Sequence, residues 1–217
     1  MQAKIISLGL ASLGLLGCAT TPAVNVWKLE RTESIAGVQP EVLGAPRAVK
    51  KDGHQALCFD GKADGVFLPV NPIAGLTNFT IEILLRPDGD GPPEQRFLHI
   101  QDPEEHRVLM ETRVGEGTWS LDTFLRTSDA DKLTLLDRAK SQRTDRWYWA
   151  ALVYDGKTMS HYVDGVRQLE GLVAFAPMVP GRISLGVRQN RIHWFKGCIA
   201  EVRFAPEAIP ATRLRRP

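Results

Sequence analysis

Charged and imidazole side chains recur in the middle of strand-like runs of this 217-residue sequence, at Glu82, His99, Glu111 with Arg113, Asp122, His161, and Arg188 with Asn190. A sheet face that is merely solvated usually carries Lys, Thr, Ser and Glu. One that mixes His, Arg, Asp and Glu on successive strands suits a polar binding groove, because guanidinium and carboxylate groups fork onto sugar hydroxyls or acidic sugars. Strand residues two apart point the same way, so Glu111 and Arg113 share a face, and Arg188 and Asn190 would do likewise. The expectation is that Glu111, Arg113, Asp122 and Arg188 lie on one face, with His99 and His161 nearby. Arg113 would then belong to an exposed charge pair whose loss costs about 0–1 kcal/mol. Trp119, Trp149 and Trp194 offer rings for stacking on a sugar. The competing view is a salt-bridged exposed sheet with these tryptophans in the core, where tryptophan is commonly found.

Metal chemistry is thinly supported. Asp60, Asp64, Asp88 and Asp90 offer oxygen ligands of the kind calcium accepts. Asp and Gly in sequence more often make simple turns, and the twelve-residue calcium loop pattern is missing. Calcium therefore stays a weak second reading, and no cofactor is expected. The five histidines show no zinc spacing. His-Glu-x-x-His, Gly-x-Ser-x-Gly, paired Cys-x-x-Cys and the phosphate-cradling glycine loop are all missing. A net charge of +2 gives no footprint for nucleic acid. Protein partners are not specified.

The elements that must position these groups are strands. Alternation in Phe79 to Leu85 puts Phe79, Ile81, Ile83 and Leu85 in one phase. Further strand-like runs are Ala56 to Phe59, Val66 to Leu68, Arg96 to Ile100, Val108 to Val114, Thr118 to Leu125, Lys132 to Leu136, Arg182 to Arg188 and Trp194 to Phe204. Trp147 to Tyr154, Thr158 to Val163 and Val166 to Leu169 are separated by Asp155-Gly156 and Asp164-Gly165. Asp-Gly between apolar runs predicts two-residue turns with both residues at positive φ. Asn25 to Lys51 is expected to give an edge strand and a loop, and the tail from Pro206 a helical turn. About a dozen short strands imply an all-β sandwich or barrel of one domain over residues 25–217.

The N-terminus carries Lys4, then an apolar or small-residue run from Ile5 to Leu16, too short to span a bilayer as a helix. Leu15-Leu16-Gly17-Cys18 resembles the lipobox of bacterial lipoprotein signal peptides, departing from it in the bulk of Leu16. The resemblance implies a signal peptide over 1–17, lipidation of Cys18, a tether over 18–24 and a place in the cell envelope, at the bacterial outer membrane or on the periplasmic side of a membrane. Several acyl chains together give stable anchoring. Because the lipobox points to a bacterium, the Asn78-Phe79-Thr80 sequon is discounted. Cys58 and Cys198 either pair in an oxidising compartment or are two separate buried thiols.

Four segments together resemble the laminin-G-like, concanavalin A-like jelly-roll family. They are Ala56-Leu57-Cys58-Phe59-Asp60-Gly61, Phe79-Thr80-Ile81-Glu82, the stretch from Trp147 to Gly165, and Phe195 to Arg203. The resemblance implies two curved antiparallel sheets with the first and last strands near each other. The chain departs from the family pattern at Ala200, where Asp is common, which weakens any metal site built on that carboxylate. Relatives include glycan-binding modules, adhesion domains, glycosidases and lyases, and fold does not imply function. Glycosidases of this architecture carry a Glu-x-Asp-x-x-Glu strand motif that sets the carboxylate separation, and it is missing here. The arginine-rich strand, Gln-x-His and Tyr-x-Lys motifs of jelly-roll lyases are missing too. The sequence therefore points to an exported, lipid-anchored, non-catalytic module whose ligand is a glycan. The alternatives are a polysaccharide hydrolase or lyase with an unrecognised site, and a structural or adhesion protein of the envelope.

Overall fold

The computed structural model describes residues 23–217. The expected signal segment 1–17, the expected lipidation site Cys18 and residues 19–22 of the expected tether lie outside the described residues. The chain from Asn25 to Lys51 gives three strands where one edge strand was expected: β1 (Asn25–Lys28), β2 (Glu41–Leu43) and β3 (Arg47–Lys51). All three are short and mostly exposed, so they lack the alternation that betrays a half-buried strand. The strands β4 (His54–Asp60), β5 (Gly65–Leu68), β6 (Phe79–Pro87), β7 (Glu94–Gln101), β8 (Arg107–Gly115), β9 (Thr118–Arg126) and β10 (Lys132–Arg143) follow. Then come β11 (Tyr148–Tyr154), β12 (Thr158–Val163), β13 (Val166–Leu172), β14 (Arg182–Leu185), β15 (Lys196–Ala205) and one 3-10 turn at Ala211–Arg213.

Two antiparallel sheets result. One has eight strands, ordered β13-β12-β11-β6-β15-β4-β3, with β1 pairing β15 beside β4. The other has seven, ordered β10-β9-β8-β7-β14-β5-β2. Phe79, Ile81, Ile83 and Leu85 point together into the space between the sheets and are fully buried, as their phase predicts. From the opposite sheet Phe97, Leu98, Ile100, Val108, Met110, Trp119, Leu121 and Leu125 meet them. Trp119 is thus a core residue, edge-on to Tyr148 at 5.6 Å, and is not available for stacking on a ligand.

The two Asp-Gly pairs differ. Asp164 and Gly165 sit at φ 50° and 72°, and Val163 pairs directly with Val166, so this is the two-residue turn expected. At Asp155-Gly156 only the glycine has positive φ, and Tyr154 pairs with Met159. The turn is longer than expected because the Asp155 carboxylate accepts the N–H groups of Lys157 and Thr158, closing the loop through a side chain.

Cys58 and Cys198 face each other across the β4–β15 ladder and are joined as a disulfide. The bond ties a strand near the start of the domain to its last strand, 140 residues away.

Candidate functional site

Alternation along β8 and β9 sends Val108, Met110, Trp119 and Leu121 inward and leaves Arg107, Leu109, Glu111, Arg113, Asp122 and Phe124 on the outer face of the seven-stranded sheet. Glu111 stands opposite Asp122, and Leu109 opposite Phe124. A bulge in β7 between Arg96 and Leu98 lets Phe97 and Leu98 both enter the core while Arg96 stays outside, opposite Glu111. Thr134 of β10 and Arg188 complete the lining of a shallow depression of about 230 Å³. Glu111, Arg113, Asp122 and Arg188 are therefore brought together on one face.

Arg113 is the centre of this cluster. Its Nε and Nη2 both donate to Asp122 Oδ2, at 2.7 and 2.6 Å. The same Nη2 reaches Glu111 Oε2 at 3.1 Å, and Nη1 reaches Glu94 Oε2 at 2.6 Å. Arg96 contacts Glu111 Oε1 through Nε at 2.9 Å and also pairs with Glu94. The side chains of Glu111 and Asp122 are only 4% and 2% exposed, so the carboxylates lie beneath the guanidinium groups. Burial pushes the Glu111 carboxyl up to about 7, with the adjacent Asp122 adding to it. Burial also raises Asp122 against the pull of Arg113. Glu94 goes the other way: burial works to raise it, but hydrogen bonds from Arg113 and Arg96 prevail and hold it at about 2. Arg113 is consequently part of a buried network and not the exposed pair expected from sequence.

His99 shares this face, opposite Leu109, but is covered by the loop after β14. Its Nδ1 accepts the Gln189 N–H at 3.1 Å, and the Gln189 amide donates to the His99 carbonyl at 3.2 Å. Burial, followed by Arg188 and Arg107, drives the imidazole down to about 3, so it is neutral. His161 is elsewhere. It points between the sheets from β12, with Nδ1 3.0 Å from Thr123 Oγ1 of β9. Thr123 and Asp122 are neighbours in sequence and so occupy opposite faces, which removes His161 from the cluster. Arg188 and Asn190 do not share a strand face either. The strand ends at Leu185; Gly186, at φ 82°, has no room for a β-carbon against the Phe59 ring, and a turn follows in which Arg191 N donates to Arg188 O at 2.8 Å. The turn delivers Arg188 to the cluster and leaves Asn190 exposed outside it.

The other singled-out groups have local roles. Glu82 is buried under the C-terminal tail on the eight-stranded sheet and accepts the Arg215 N–H at 2.7 Å. Trp149 lies on that sheet's outer face with the Arg215 guanidinium 5.9 Å above its ring, and Trp194 is half-buried in the loop before β15. Asp60 accepts three backbone N–H groups, from Lys62, Ala63 and Asp64, and Asp64 accepts those of Ala45 and Asp60. Asp88 pairs with Arg86 and Lys51, and Asp90 with Lys196. These carboxylates are turn-formers and ion-pair partners, and among the described residues no group of three or more His, Cys, Asp or Glu is placed to hold a metal.

Sequence reasoning missed Glu94, Arg96, Arg107 and Phe124. A signal for two of them was present: Glu94-x-Arg96 repeats the spacing of Glu111-x-Arg113. Phe124 is a half-buried ring, opposite Leu109, on a largely charged surface.

Two packed antiparallel sheets in this strand order form a jelly-roll sandwich. The sequence profile of the laminin-G-type family of the concanavalin A-like lectin/glucanases superfamily matches residues 60–214, and the chain belongs to that family. No curated protein matches it in sequence. Among solved structures, domain 4 of AbnA, a GH43 extracellular arabinanase from Geobacillus stearothermophilus, in complex with arabinotriose, is 17% identical with a TM-score of 0.58, over 88% of this chain and 85% of that one. The ligand-binding domain of Botulinum neurotoxin serotype D, in complex with N-acetylneuraminic acid, gives 11% and 0.65, over 86% of this chain and 48% of that one. The binding domain of Paraclostridial Mosquitocidal Protein 1 gives 11% and 0.64, over 86% and 49%. The chain thus spans about half the length of the toxin domains it resembles. These likenesses show the fold.

Proposed function

We propose that this protein is a non-catalytic glycan-binding module, exported and held at a cell-envelope membrane through Cys18. Its ligand sits on the outer face of the seven-stranded sheet, over the depression lined by Arg96, Arg107, Arg113, Phe124 and Arg188. The observation that carries the reading is the half-buried Phe124 ring set among guanidinium groups that carboxylates hold from below. An apolar ring face beside fixed hydrogen-bond donors is what a sugar, apolar on one side and hydroxylated at its edge, requires. Structural neighbours solved in complex with arabinotriose and with N-acetylneuraminic acid support a saccharide. Catalysis is disfavoured by the same geometry. A glycosidase needs a carboxyl that reaches the glycosidic oxygen, whereas Glu111 and Asp122 lie beneath Arg113 and Arg96 and are engaged with them.

Binding to immobilised glycans, with no product released from the corresponding polysaccharides, is the expected result. Phe124→Ala should weaken that binding at least tenfold, while Val166→Ala, on an exposed position of β13, should leave it unchanged. Turnover of a bound polysaccharide would overturn the non-catalytic reading, and equal binding by the Phe124 variant would move the ligand off this face.

A further inference from the structure

We infer that the glycan carries a carboxylate and that this carboxylate seats against the Arg188 and Arg107 guanidinium groups, beside Phe124. The inference rests on the glycan-binding reading above and narrows it.

The cations of the cluster are not all paired. Four guanidinium groups, from Arg96, Arg107, Arg113 and Arg188, line the depression; Glu105 pairs with Arg107, and Glu111, Asp122 and the edge residue Glu94 lie among the others. Glu94, Glu111 and Asp122 are engaged by Arg96 and Arg113. Among the described residues Arg107 pairs with the exposed Glu105 alone, through Nη2, and its buried Nε has no acceptor. Arg188 has no ion-pair partner among the described residues, although it is half-buried. A partly desolvated guanidinium with no carboxylate beside it is open to an anionic ligand.

The backbone that carries Arg188 is also held in place. The Gln189 side chain and N–H are fixed on His99, Arg188 N donates to Ile192 O at 3.3 Å, and Phe195 N donates to Gly186 O at 2.8 Å. A planar, always-charged fork in a pinned turn is prepared for a planar oxyanion, which it binds through two parallel hydrogen bonds. The local field agrees: burial and then the neighbouring Arg96 and Arg107 push Arg188 down. An incoming anion would relieve that repulsion. Phe124 places the anion on a sugar, since its ring faces the same depression.

The test is calorimetric titration of the purified protein with a panel of uronate- and sialate-containing oligosaccharides, their methyl esters, neutral oligosaccharides including arabinotriose, and sulfated oligosaccharides. The acidic glycan should bind at least tenfold more tightly than its own methyl ester, and Arg188→Ala should remove that preference. Because Arg188 has no ionic partner, this variant should keep the wild-type melting temperature. Equal affinity for acid and ester, or tighter binding of sulfated than of carboxylated sugars, overturns the inference and leaves the glycan-binding reading standing. No binding to any member of the panel overturns both.

Discussion

Arg113 holds Asp122 across the β8–β9 ladder through two of its nitrogens, Nε at 2.7 Å and Nη2 at 2.6 Å, where the Asp122 side chain is only 2% exposed. Glu111 shares the same Nη2. Asp122 thus has Arg113 as its one ion-pair partner among the described residues, while Glu111 also meets Arg96. The desolvation of Asp122 is offset only while the Arg113 cation is present.

Arg113→Ala should therefore destabilise the fold by about 3–5 kcal/mol, the range for stranding a buried charge. Arg167→Ala, which breaks an exposed pair with Glu170, should cost about 0–1 kcal/mol. Urea unfolding of both variants checks this. An Arg113→Ala loss as small as that of Arg167→Ala would mean that Glu111 and Asp122 are satisfied without it.

His161 gives the interior a pH dependence. Burial holds its imidazole at about 4 against an ordinary 6.5, so the unfolded chain takes up a proton at a pH where the folded one does not. A depressed histidine contributes stability above the unfolded pKa and loses it as pH falls toward the folded one. The window is therefore pH 6.5 to 4, and the full difference is on the order of 3 kcal/mol. Raised carboxylates such as Glu111 act oppositely, gaining as pH falls from about 7 to 4.5, so the raw profile mixes signs. The comparison that isolates His161 is wild type against His161→Phe. Their stability difference should shift in favour of the variant as pH drops from 7 to 4.5, and a constant difference would show that the histidine is solvated.

Cys18 lies outside the described residues, and its role is tested on the cell. Cys18→Ser should release the protein from the membrane fraction or leave residues 1–17 uncleaved, because no other thiol precedes the domain. A variant that still incorporates labelled lipid would end the lipid-anchor reading.

Strand positions were legible because alternation reports burial on one face, as at Phe79 to Leu85. The site was only partly legible, because it depends on register. Glu111 and Arg113 share a face by period alone, but their meeting with Asp122 follows from the β8–β9 pairing, and Arg96 joins them only through the bulge after it. His161 looked equivalent to His99, yet the two belong to different sheets, and only pairing partners reveal which face each occupies. Arg188 followed an apolar run that reads as a continuing strand. Gly186, at positive φ and packed too close to the Phe59 ring for a β-carbon, ends that strand early. Asp155-Gly156 failed as a two-residue turn for a local reason, since its carboxylate can satisfy backbone donors itself.

The disulfide connects fold and compartment. Cys58 and Cys198 are cross-strand partners, so the bond joins two strands already paired, and its contribution comes from the 140 residues it closes in the unfolded chain. Chain entropy sets the ceiling for such a loop at about 5 kcal/mol. The Cys58→Ala/Cys198→Ala double variant should lose about 2–5 kcal/mol against the oxidised protein. Exported protein, denatured without reductant, should show no titratable thiol from these two positions. The same chain lacking residues 1–17 and retained in the reducing cytosol should show both. It should still fold there, with lower stability, because the two sheets share one continuous core that does not include either cysteine. Two free thiols in the exported protein would refute the pairing. Oxidised cysteines in the cytosolic form would separate the bond from export and remove it as a marker of where this protein resides.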